Sequence, residues 1–235
     1  MNSFPDSHIT DRRHTGSGPT VIFLPGYASD MTGSKALALD EWAERTSRAF
    51  VRFDYRGCGA SAGAFEDFTL EDWRDDALSV IDSINGPVVL VGSSMGGWIM
   101  LLAALARPER IAALVGIAAA PDFTEWGFDD AQKTMLATEG QIEEPSVYGP
   151  PMVTTQRFWE SGQRNLLLGN DIALDMPVRL LQGQCDNDVP WRQSLLLAEH
   201  LRSADVQVVL VKDGDHRLSR PQDIDLLISS IESLS

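Results

Sequence analysis

The sequence predicts an α/β fold with a mostly parallel central sheet and helices on both of its faces. Short runs rich in Val, Ile and Leu alternate with helical stretches along most of the 235 residues. Strands that are apolar throughout are typical of parallel sheets buried on both faces, and a helix between two of them forms the crossover. Glycine-rich or polar turns follow several runs, and such sheets carry their functional residues there.

Six apolar runs are the predicted strands of this sheet, because each is short, rich in β-branched residues and bounded by turn residues. In chain order they cover residues 20–24, 49–55, 87–91, 111–117, 178–183 and 206–211. The polar residues before Ser17 are expected to hold one or two strands at the sheet edge.

Five helical stretches separate or follow these strands. They cover residues 35–47, 70–84, 98–106, 190–202 and 221–234. Ser34 precedes the first as a candidate N-cap, and Thr69 with Asp72 forms a capping-box pattern before the second. The last repeats apolar residues at intervals of three and four, which predicts one face packed on the core.

The composition limits the partners of this chain. It is 43% hydrophobic and has a formal net charge of −15. Nucleic acids and anionic membrane surfaces are not expected partners, because both need a basic face. No apolar run reaches the length of a membrane span, so membrane insertion is not expected either. Cys58 and Cys185 suggest no disulfide framework and are interpreted as packing residues.

Ser94 lies in the pattern of strand, Gly-x-Ser-x-Gly and helix, which is typical of a nucleophile elbow. A tight turn of this kind lifts one side chain above the sheet, and the backbone passes so closely that glycines are needed two residues before and after it. Gly92 and Gly96 meet this requirement for Ser94. Ser93 does not fit, because Val91 stands where its leading glycine would be. Ser94 is therefore the candidate nucleophile.

A serine nucleophile needs a base within hydrogen-bond reach and an acid that orients the base. Of the four histidines, His216 alone follows the end of a predicted strand, as the order Ser, Asp, His requires. Asp186 and Asp188 follow the preceding strand. Asp186 is favoured because it is nearer the strand end, and Asp188 remains the alternative. Asp213 and Asp215 are interpreted as turn formers beside the histidine.

Two backbone N–H groups are candidates for an oxyanion hole. Met95 follows the nucleophile at the start of a helix, where free N–H groups and the helix dipole favour negative charge. The loop after the first predicted strand offers a second donor, most simply at Tyr27.

On these residues the chain resembles the α/β-hydrolase family over nearly all of its length. The stretches that carry the resemblance are 23–27, 31–38, 52–57, 92–98, 106–109, 179–181, Asp186 with 189–191, and 215–217. Within the family the chain is similar to the group of mitochondrial palmitoyl-protein thioesterases and acyl-glucuronide esterases. The resemblance implies a catalytic triad of Ser94, Asp186 and His216, with Tyr27 and Met95 at the oxyanion hole.

The regular pattern is interrupted between about residues 121 and 175, where aromatic, proline and acidic residues mix with weak helices near 129–139 and 155–168. The resemblance implies a single α/β-hydrolase domain over 1–235, in which this stretch is a small helical lid. Five of its side chains are candidates for an acyl pocket: Phe123, Trp126, Phe128, Met152 and Trp159. They fit the lid's own core equally well, so both interpretations stay open.

Together these features predict a serine hydrolase that cleaves acyl thioesters or esters through an acyl-enzyme at Ser94, with no metal and no cofactor. A depalmitoylase acting on an acylated protein leads on the resemblance. The alternatives are a carboxylesterase on small or acyl-glucuronide esters, and a non-catalytic ligand-binding protein of the same fold. Because the N-terminal residues show no targeting pattern, the expected location is the cytoplasm. Acyl length, leaving group and oligomeric state are not predicted.

Overall fold

The computed structural model describes residues 9–144 and 151–234. The described strands are β1 (Thr10–His14), β2 (Ser17–Leu24), β3 (Arg48–Asp54), β4 (Val88–Ser93), β5 (Ile111–Ile117), β6 (Gln141–Glu144), β7 (Met152–Thr155), β8 (Val178–Gly183) and β9 (Val206–Val211). The described α-helices are α1 (Ser34–Thr46), α2 (Leu70–Asp82), α3 (Met95–Ala106), α4 (Phe123–Trp126), α5 (Asp130–Glu139), α6 (Gln156–Arg164), α7 (Arg192–His200) and α8 (Pro221–Glu232).

The central sheet has the strand order β1-β3-β2-β4-β5-β8-β9. All neighbouring strands are parallel except β1, which pairs antiparallel with β3 at one edge. β4 is the central strand and is buried along its whole length, as its unbroken apolar run predicts. The carboxyl ends of the parallel strands therefore meet at one edge of the sheet, where a site can be assembled.

Helices cover both faces of the sheet. Side chains of α2, α3 and α7 belong to one buried cluster, and those of α1 and α8 belong to the other. α3 is buried at every residue from Met95 to Ala104, because it packs against the sheet and also contacts α2. No helix in the described part of the chain has the length and apolarity needed to cross a bilayer.

The predicted elements are present, with small differences at their ends. The strands predicted over 111–117, 178–183 and 206–211 have these same bounds in the structure. The capping box is confirmed, because the Asp72 N–H donates to the Thr69 hydroxyl (3.3 Å) and the Thr69 N–H donates to the Asp72 carboxylate (2.9 Å). Ser34 is not the cap of α1. It is the first helical residue, and Gly33 is the N-cap with extended backbone.

The insert between β5 and β8 is not only helical. It contains α4, α5 and α6, and also an antiparallel pair formed by β6 and β7. The sequence pattern does not reveal this pair, because its strands are four residues long and largely polar.

Asp122 ties the start of the insert to its end. This buried residue has a left-handed backbone with φ +59°. Its carboxylate accepts hydrogen bonds from the N–H groups of Leu167 (2.8 Å) and Leu168 (2.7 Å). Burial raises the pKa of this carboxyl in spite of these two donors. The segment that follows β5 is thus hydrogen-bonded to a segment that precedes β8.

Candidate active site

Ser94 lies between the end of β4 and the first turn of α3, with φ +54° and ψ −121°. This backbone conformation is strained for a residue with a side chain. Backbone hydrogen bonds hold it in place. The Ser94 N–H donates to the Ile117 carbonyl (2.9 Å), and the Ser94 carbonyl accepts from the N–H groups of Gly97 (2.8 Å) and Ala120 (3.1 Å). The turn has the geometry that the glycine spacing predicts.

The flanking glycines are required by close contacts between backbone segments. A side chain on Gly92 would collide with the carbonyl group of Gly96. A side chain on Gly96 would collide with the carbonyls of Leu24 and Pro25. Backbone atoms cannot yield as the end of a flexible side chain can, so a larger residue at either position would displace the turn.

His216 lies in the loop after β9, and its Nδ1 is 2.9 Å from Oδ2 of Asp186 in the loop after β8. The Asp186 side chain is fully buried, whereas a quarter of the His216 side chain is exposed. Two adjacent parallel strands therefore position the pair at the sheet edge that also carries Ser94. A carboxylate at Nδ1 keeps the proton on that nitrogen and leaves Nε2 as the base.

Hydrogen bonds surround the Asp186 carboxylate. The N–H groups of Asp188 (2.9 Å) and Val189 (2.8 Å) donate to Oδ1. The Gln182 amide (2.9 Å) and the His216 ring share Oδ2. Burial by itself raises the pKa of Asp186, but the bonds from His216 and from the two backbone N–H groups outweigh it and lower the pKa below its usual value. The carboxylate therefore remains ionised beside the imidazole.

Gln182 is the member of this network that the sequence pattern did not single out. It lies in β8 and is fully buried, and its carbonyl oxygen accepts a hydrogen bond from the Ser194 hydroxyl (3.0 Å). The sequence does hold a signal for Gln182, because it is a polar amide near the end of an otherwise apolar strand. A buried amide must be hydrogen-bonded, so a polar partner nearby is expected. Gln182 connects Asp186 to α7 through Ser194.

The other acidic candidates have different contacts. Asp188 is exposed, and its backbone N–H rather than its carboxylate bonds to Asp186. Asp215 accepts two backbone N–H groups of its own loop, as a turn former does. Asp213 forms an ion pair with Arg220 (2.8 Å). The hydrogen bond to the histidine therefore favours Asp186 as the orienting acid.

The two oxyanion-hole candidates keep their N–H groups available. Met95 is the first residue of α3, so its N–H has no partner within the helix. In the described residues, neither the Met95 N–H nor the Tyr27 N–H donates to a backbone carbonyl. Tyr27 and Ser94 line the same two cavities. The role of both groups in binding an oxyanion stays a prediction.

The side chain of Tyr27 joins the loop after β2 to the insert. Its ring centroid lies 4.9 Å from that of Phe65 and 4.9 Å from that of Phe158. Its hydroxyl is 3.0 Å from Oγ1 of Thr154 in β7. Burial raises the pKa of Tyr27 well above its usual value, in spite of that hydrogen bond. The side chain therefore anchors the insert.

Two cavities lie beside Ser94. The smaller has a volume of about 170 Å³, and four of the five candidate pocket residues line it: Phe123, Trp126, Phe128 and Met152. The larger has a volume of about 550 Å³ and a more polar lining. Trp159 lines neither of these two, and its indole N–H donates to the Thr124 carbonyl (3.0 Å) inside the insert. Contact of these residues with an acyl group stays a prediction.

The side chains of Ser94 and His216 both line the larger cavity. Among the hydrogen bonds of the described residues, none joins the two side chains. In enzymes this contact is often loose before substrate binds and tightens in the reacting complex. The geometry thus brings the candidate base and the candidate nucleophile to one cavity.

Asp186, Asp188 and His216 also place possible metal-ligand atoms within 4.8 Å of one another. Asp186 and His216 already bond to each other, so the group fits an acid–base pair better than a metal site.

Of the two cysteines, Cys58 is buried, and burial raises its pKa to about 12. Cys185 is exposed, so its interpretation as a packing residue is wrong.

Comparison with known proteins decides the family, because residues 21–225 match the alpha/beta hydrolase family. The chain belongs to this family. Over 233 residues it is 42% identical to the mitochondrial palmitoyl-protein thioesterase ABHD10 of Homo sapiens, an alignment that covers 97% of this chain and 76% of that protein. This alpha/beta hydrolase also superimposes on mouse alpha/beta hydrolase domain-containing protein 10, with a TM-score of 0.89, 40% identity and coverage of 96% and 93%. A putative hydrolase from Agrobacterium vitis S4 has a TM-score of 0.90, 43% identity and coverage of 96% and 92%.

The comparisons confirm the predicted α/β-hydrolase fold and the resemblance to the palmitoyl-protein thioesterase group. This alpha/beta hydrolase is an enzyme that acts on ester or thioester bonds. The expected cytoplasmic location is wrong, because the animal relatives that match nearly the whole chain are named as mitochondrial proteins. The expectation depended mainly on the pattern of the first residues, which does not by itself determine where a protein works.

Proposed function

We propose that this enzyme cleaves acyl thioesters or esters through a covalent acyl-enzyme at Ser94. His216 acts as the general base, and Asp186 orients its imidazole. The observation that carries the proposal is the strained Ser94 turn, whose side chain lines the cavity that also holds the Asp186-bonded His216. A positioned serine, base and acid at one sheet edge are what acyl transfer requires.

The proposed reaction has two halves. His216 Nε2 takes the proton of the Ser94 hydroxyl as the serine oxygen attacks the acyl carbonyl, and the N–H groups of Met95 and Tyr27 stabilise the negative charge on the carbonyl oxygen. The bond to the leaving group breaks, and His216 gives that group its proton. Water then attacks the acyl-enzyme while His216 takes a proton from it. His216 returns this proton to the Ser94 oxygen as the bond from Ser94 to the acyl carbon breaks and the free acid leaves.

The relatives support an acyl-protein substrate, because the human relative is named a palmitoyl-protein thioesterase. The small cavity lined by aromatic side chains supports an acyl group beside Ser94. A second candidate is a carboxylesterase with shorter acyl groups. The cavity volume of about 170 Å³ supports this candidate. It is smaller than the pockets of about 300–1,000 Å³ that hold drug-sized ligands, so it suits a short acyl group. A panel of acyl thioesters and oxygen esters of stepped acyl length separates the two candidates.

The decisive variant is Ser94→Ala. We expect turnover of 4-nitrophenyl butyrate to fall by roughly 10³-fold or more, since the triad acts as a unit. Covalent labelling by a fluorophosphonate probe is also expected to disappear, while thermal unfolding shows that the variant is folded. Ser93→Ala is the matched control, because the neighbouring hydroxyl lacks the strained turn, and this variant is expected to keep its labelling.

Two results would contradict the proposal. Wild-type turnover by Ser94→Ala would remove Ser94 from the reaction. A wild-type protein that binds acyl compounds but resists both turnover and labelling would instead be a non-catalytic binding protein of this fold.

A further inference from the structure

The loop between β2 and α1, residues 25–33, lies beside Ser94 and carries the Tyr27 N–H. Six of its residues line the larger cavity: Pro25, Gly26, Tyr27, Ser29, Asp30 and Gly33. A side chain on Gly26 would lie 3.3 Å from the Ser93 carbonyl oxygen and 3.3 Å from Cβ of Ser94, so the loop packs directly against the elbow. A shift of this loop would therefore move the Tyr27 N–H relative to Ser94.

The β2–α1 loop contains a strained residue next to Tyr27. Ala28 has φ +51°, in the left-handed region that a residue with a side chain rarely adopts. The backbone hydrogen bond that spans it, from the Ser29 N–H to the Gly26 carbonyl, is 3.2 Å long and lies at the long end of the normal range. A strained conformation persists only where surrounding contacts hold it. The loop therefore depends on its contacts with other elements.

Met31, near the end of this loop, has both of its backbone polar groups bound by side chains of β3. Its N–H donates to Oδ1 of Asp54 (2.7 Å), and its carbonyl accepts a hydrogen bond from Nη1 of Arg52 (2.6 Å). Both side chains belong to buried residues, with 1% exposure for Asp54 and 5% for Arg52. Charged groups are costly to bury unless they are paired and hydrogen-bonded. Two directional bonds on one residue fix its position and orientation relative to β3.

The turn after β3 is shaped around the Asp54 carboxylate. Oδ2 of Asp54 accepts a hydrogen bond from the Ala60 N–H (2.8 Å). A side chain on Gly59 would collide with this carboxylate, so the glycine leaves the space that the carboxylate occupies. Burial raises the pKa of Asp54, in spite of the N–H groups of Ala60 and Met31. The carboxylate thus joins two backbone segments, the turn after β3 and the β2–α1 loop.

Arg52 is held in turn by α1. Its Nη2 donates to Oδ2 of Asp40 (3.1 Å), a buried residue of α1, and Oδ1 of Asp40 lies 2.7 Å from Nε2 of His14. Burial by itself raises the pKa of Asp40, but the bonds from Arg52 and His14 outweigh it and lower the pKa below its usual value. The charge of Asp40 therefore compensates the Arg52 guanidinium, and the other end of the guanidinium bonds to the Met31 carbonyl.

We propose that Arg52 and Asp54 are positioning residues of the reaction, which hold Met31 and thereby keep the Tyr27 N–H directed at the oxyanion. This inference rests on the proposed function, because it concerns the oxyanion hole of the same site. Neither side chain lines the two cavities beside Ser94, so both act through the loop and not by touching the substrate. It gives β3, which carries no member of the proposed triad, a part in the reaction.

The value of kcat per active site separates positioning from folding. Active sites are titrated to the end point with a fluorophosphonate probe, and 4-nitrophenyl butyrate is the substrate. Both halves of the proposed reaction use the oxyanion donors, so a displaced Tyr27 N–H lowers kcat and leaves KM nearly unchanged. Butylboronic acid forms a tetrahedral adduct with a reactive serine and so resembles the transition state. Its affinity is expected to fall by the same factor as kcat.

Asp54→Asn is the mildest variant, because an amide has the shape of the carboxylate but only one acceptor oxygen for the N–H groups of Met31 and Ala60. We expect kcat per active site to fall about tenfold, a part of the roughly 10²- to 10³-fold that the loss of one oxyanion donor costs. Arg52→Met removes the donor to the Met31 carbonyl and is expected to have a similar effect. Arg52→Lys keeps a charged donor and is expected to restore most of the loss.

Arg12→Met is the matched control. Arg12 also pairs with Asp40 (3.3 Å), but it is exposed and lies on β1, away from the Met31 carbonyl that Arg52 binds. Because an exposed ion pair contributes little, its kcat and its affinity for butylboronic acid should stay within about twofold of the wild-type values. Thermal unfolding shows which variants are folded. If Arg52→Met does not fold, Asp54→Asn decides alone.

Two outcomes would overturn the inference. One is a wild-type kcat per active site in Asp54→Asn and in folded Arg52→Met, since the two side chains would then serve only the fold. The other is a loss of kcat without any loss of affinity for butylboronic acid, since the oxyanion hole would then be undisturbed. Either outcome leaves the proposed function standing if turnover still requires Ser94. Turnover that survives in Ser94→Ala would defeat the proposed function instead.

Discussion

The molecule packs differently in two regions. One is the carboxyl end of the sheet, where Ser94 follows β4, and the other is the insert above it. At the sheet edge, β4 and the first ten residues of α3 are buried, and backbone contacts leave no space beside Gly92 and Gly96. In the insert, elements are short, and the aromatic side chains that line the smaller cavity are only half-buried. The candidate catalytic residue Ser94 therefore lies in the closely packed region, and the candidate acyl-pocket residues lie in the less buried insert.

A few specific contacts join the two regions. The Trp98 indole N–H in α3 donates to the Asn165 carbonyl at the end of the insert (3.2 Å). Glu71 at the start of α2 forms an ion pair with Arg164 (2.7 Å), and this partner lowers the pKa of Glu71. These contacts hold the insert against α2 and α3.

The largest effect is expected from a change at the sheet edge, Asp186→Asn. An amide at this position cannot hold the proton on His216 Nδ1, so kcat should fall by roughly 10³- to 10⁴-fold. Steady-state kinetics on 4-nitrophenyl butyrate measures the loss. Asp188→Asn is the paired variant and is expected to lose less than about tenfold, because among the described residues the His216 ring bonds to Asp186 and not to the Asp188 carboxylate. The reverse order of the two losses would make Asp188 the orienting acid.

A smaller effect is expected from Gly96→Ala, which tests the rigidity of the elbow. The added methyl group meets the carbonyls of Leu24 and Pro25, so the free energy of unfolding should fall by about 3 kcal/mol. Urea denaturation followed by circular dichroism measures it. Gly169→Ala is the control, since nothing lies within 4 Å of its added methyl group, and it should change stability by less than about 0.5 kcal/mol. Equal stability of the two variants would show that the elbow yields easily.

The smallest effect is expected in the insert, from Phe128→Ala. Phe128 lines the smaller cavity, and its ring centroid lies 6.2 Å from that of Phe123. Its removal should lower kcat/KM for an octanoyl ester relative to an acetyl ester by about tenfold, the discrimination that a few apolar contacts supply. Met135→Ala is the control, because Met135 is exposed on α5 and does not line this cavity. An equal loss on both esters would mean that Phe128 supports the fold of the insert and not the acyl group.

Much of the site could be predicted because its rules are local. The turn at Ser94 could be predicted from Ser94, Gly92 and Gly96 alone, because backbone sterics within one turn require glycines at these two positions. His216 and Asp186 follow from their places after successive strands. The insert was harder to predict, since β6 and β7 are short and polar and the tie at Asp122 joins residues 45 positions apart. Periodicity carries no signal for such contacts.

The amino-acid sequence alone predicted the candidate catalytic residues and the runs that form strands, because steric and apolar patterns act between near neighbours. The position and burial of strands with similar patterns depend on the tertiary structure. β4 and β9 are both apolar runs, yet β4 is buried at the centre and β9 is half-buried at the edge. The tertiary structure also brought Lys35 to Arg217 across 182 positions of the chain. Such contacts depend on how whole layers pack, and no short stretch of sequence contains that information.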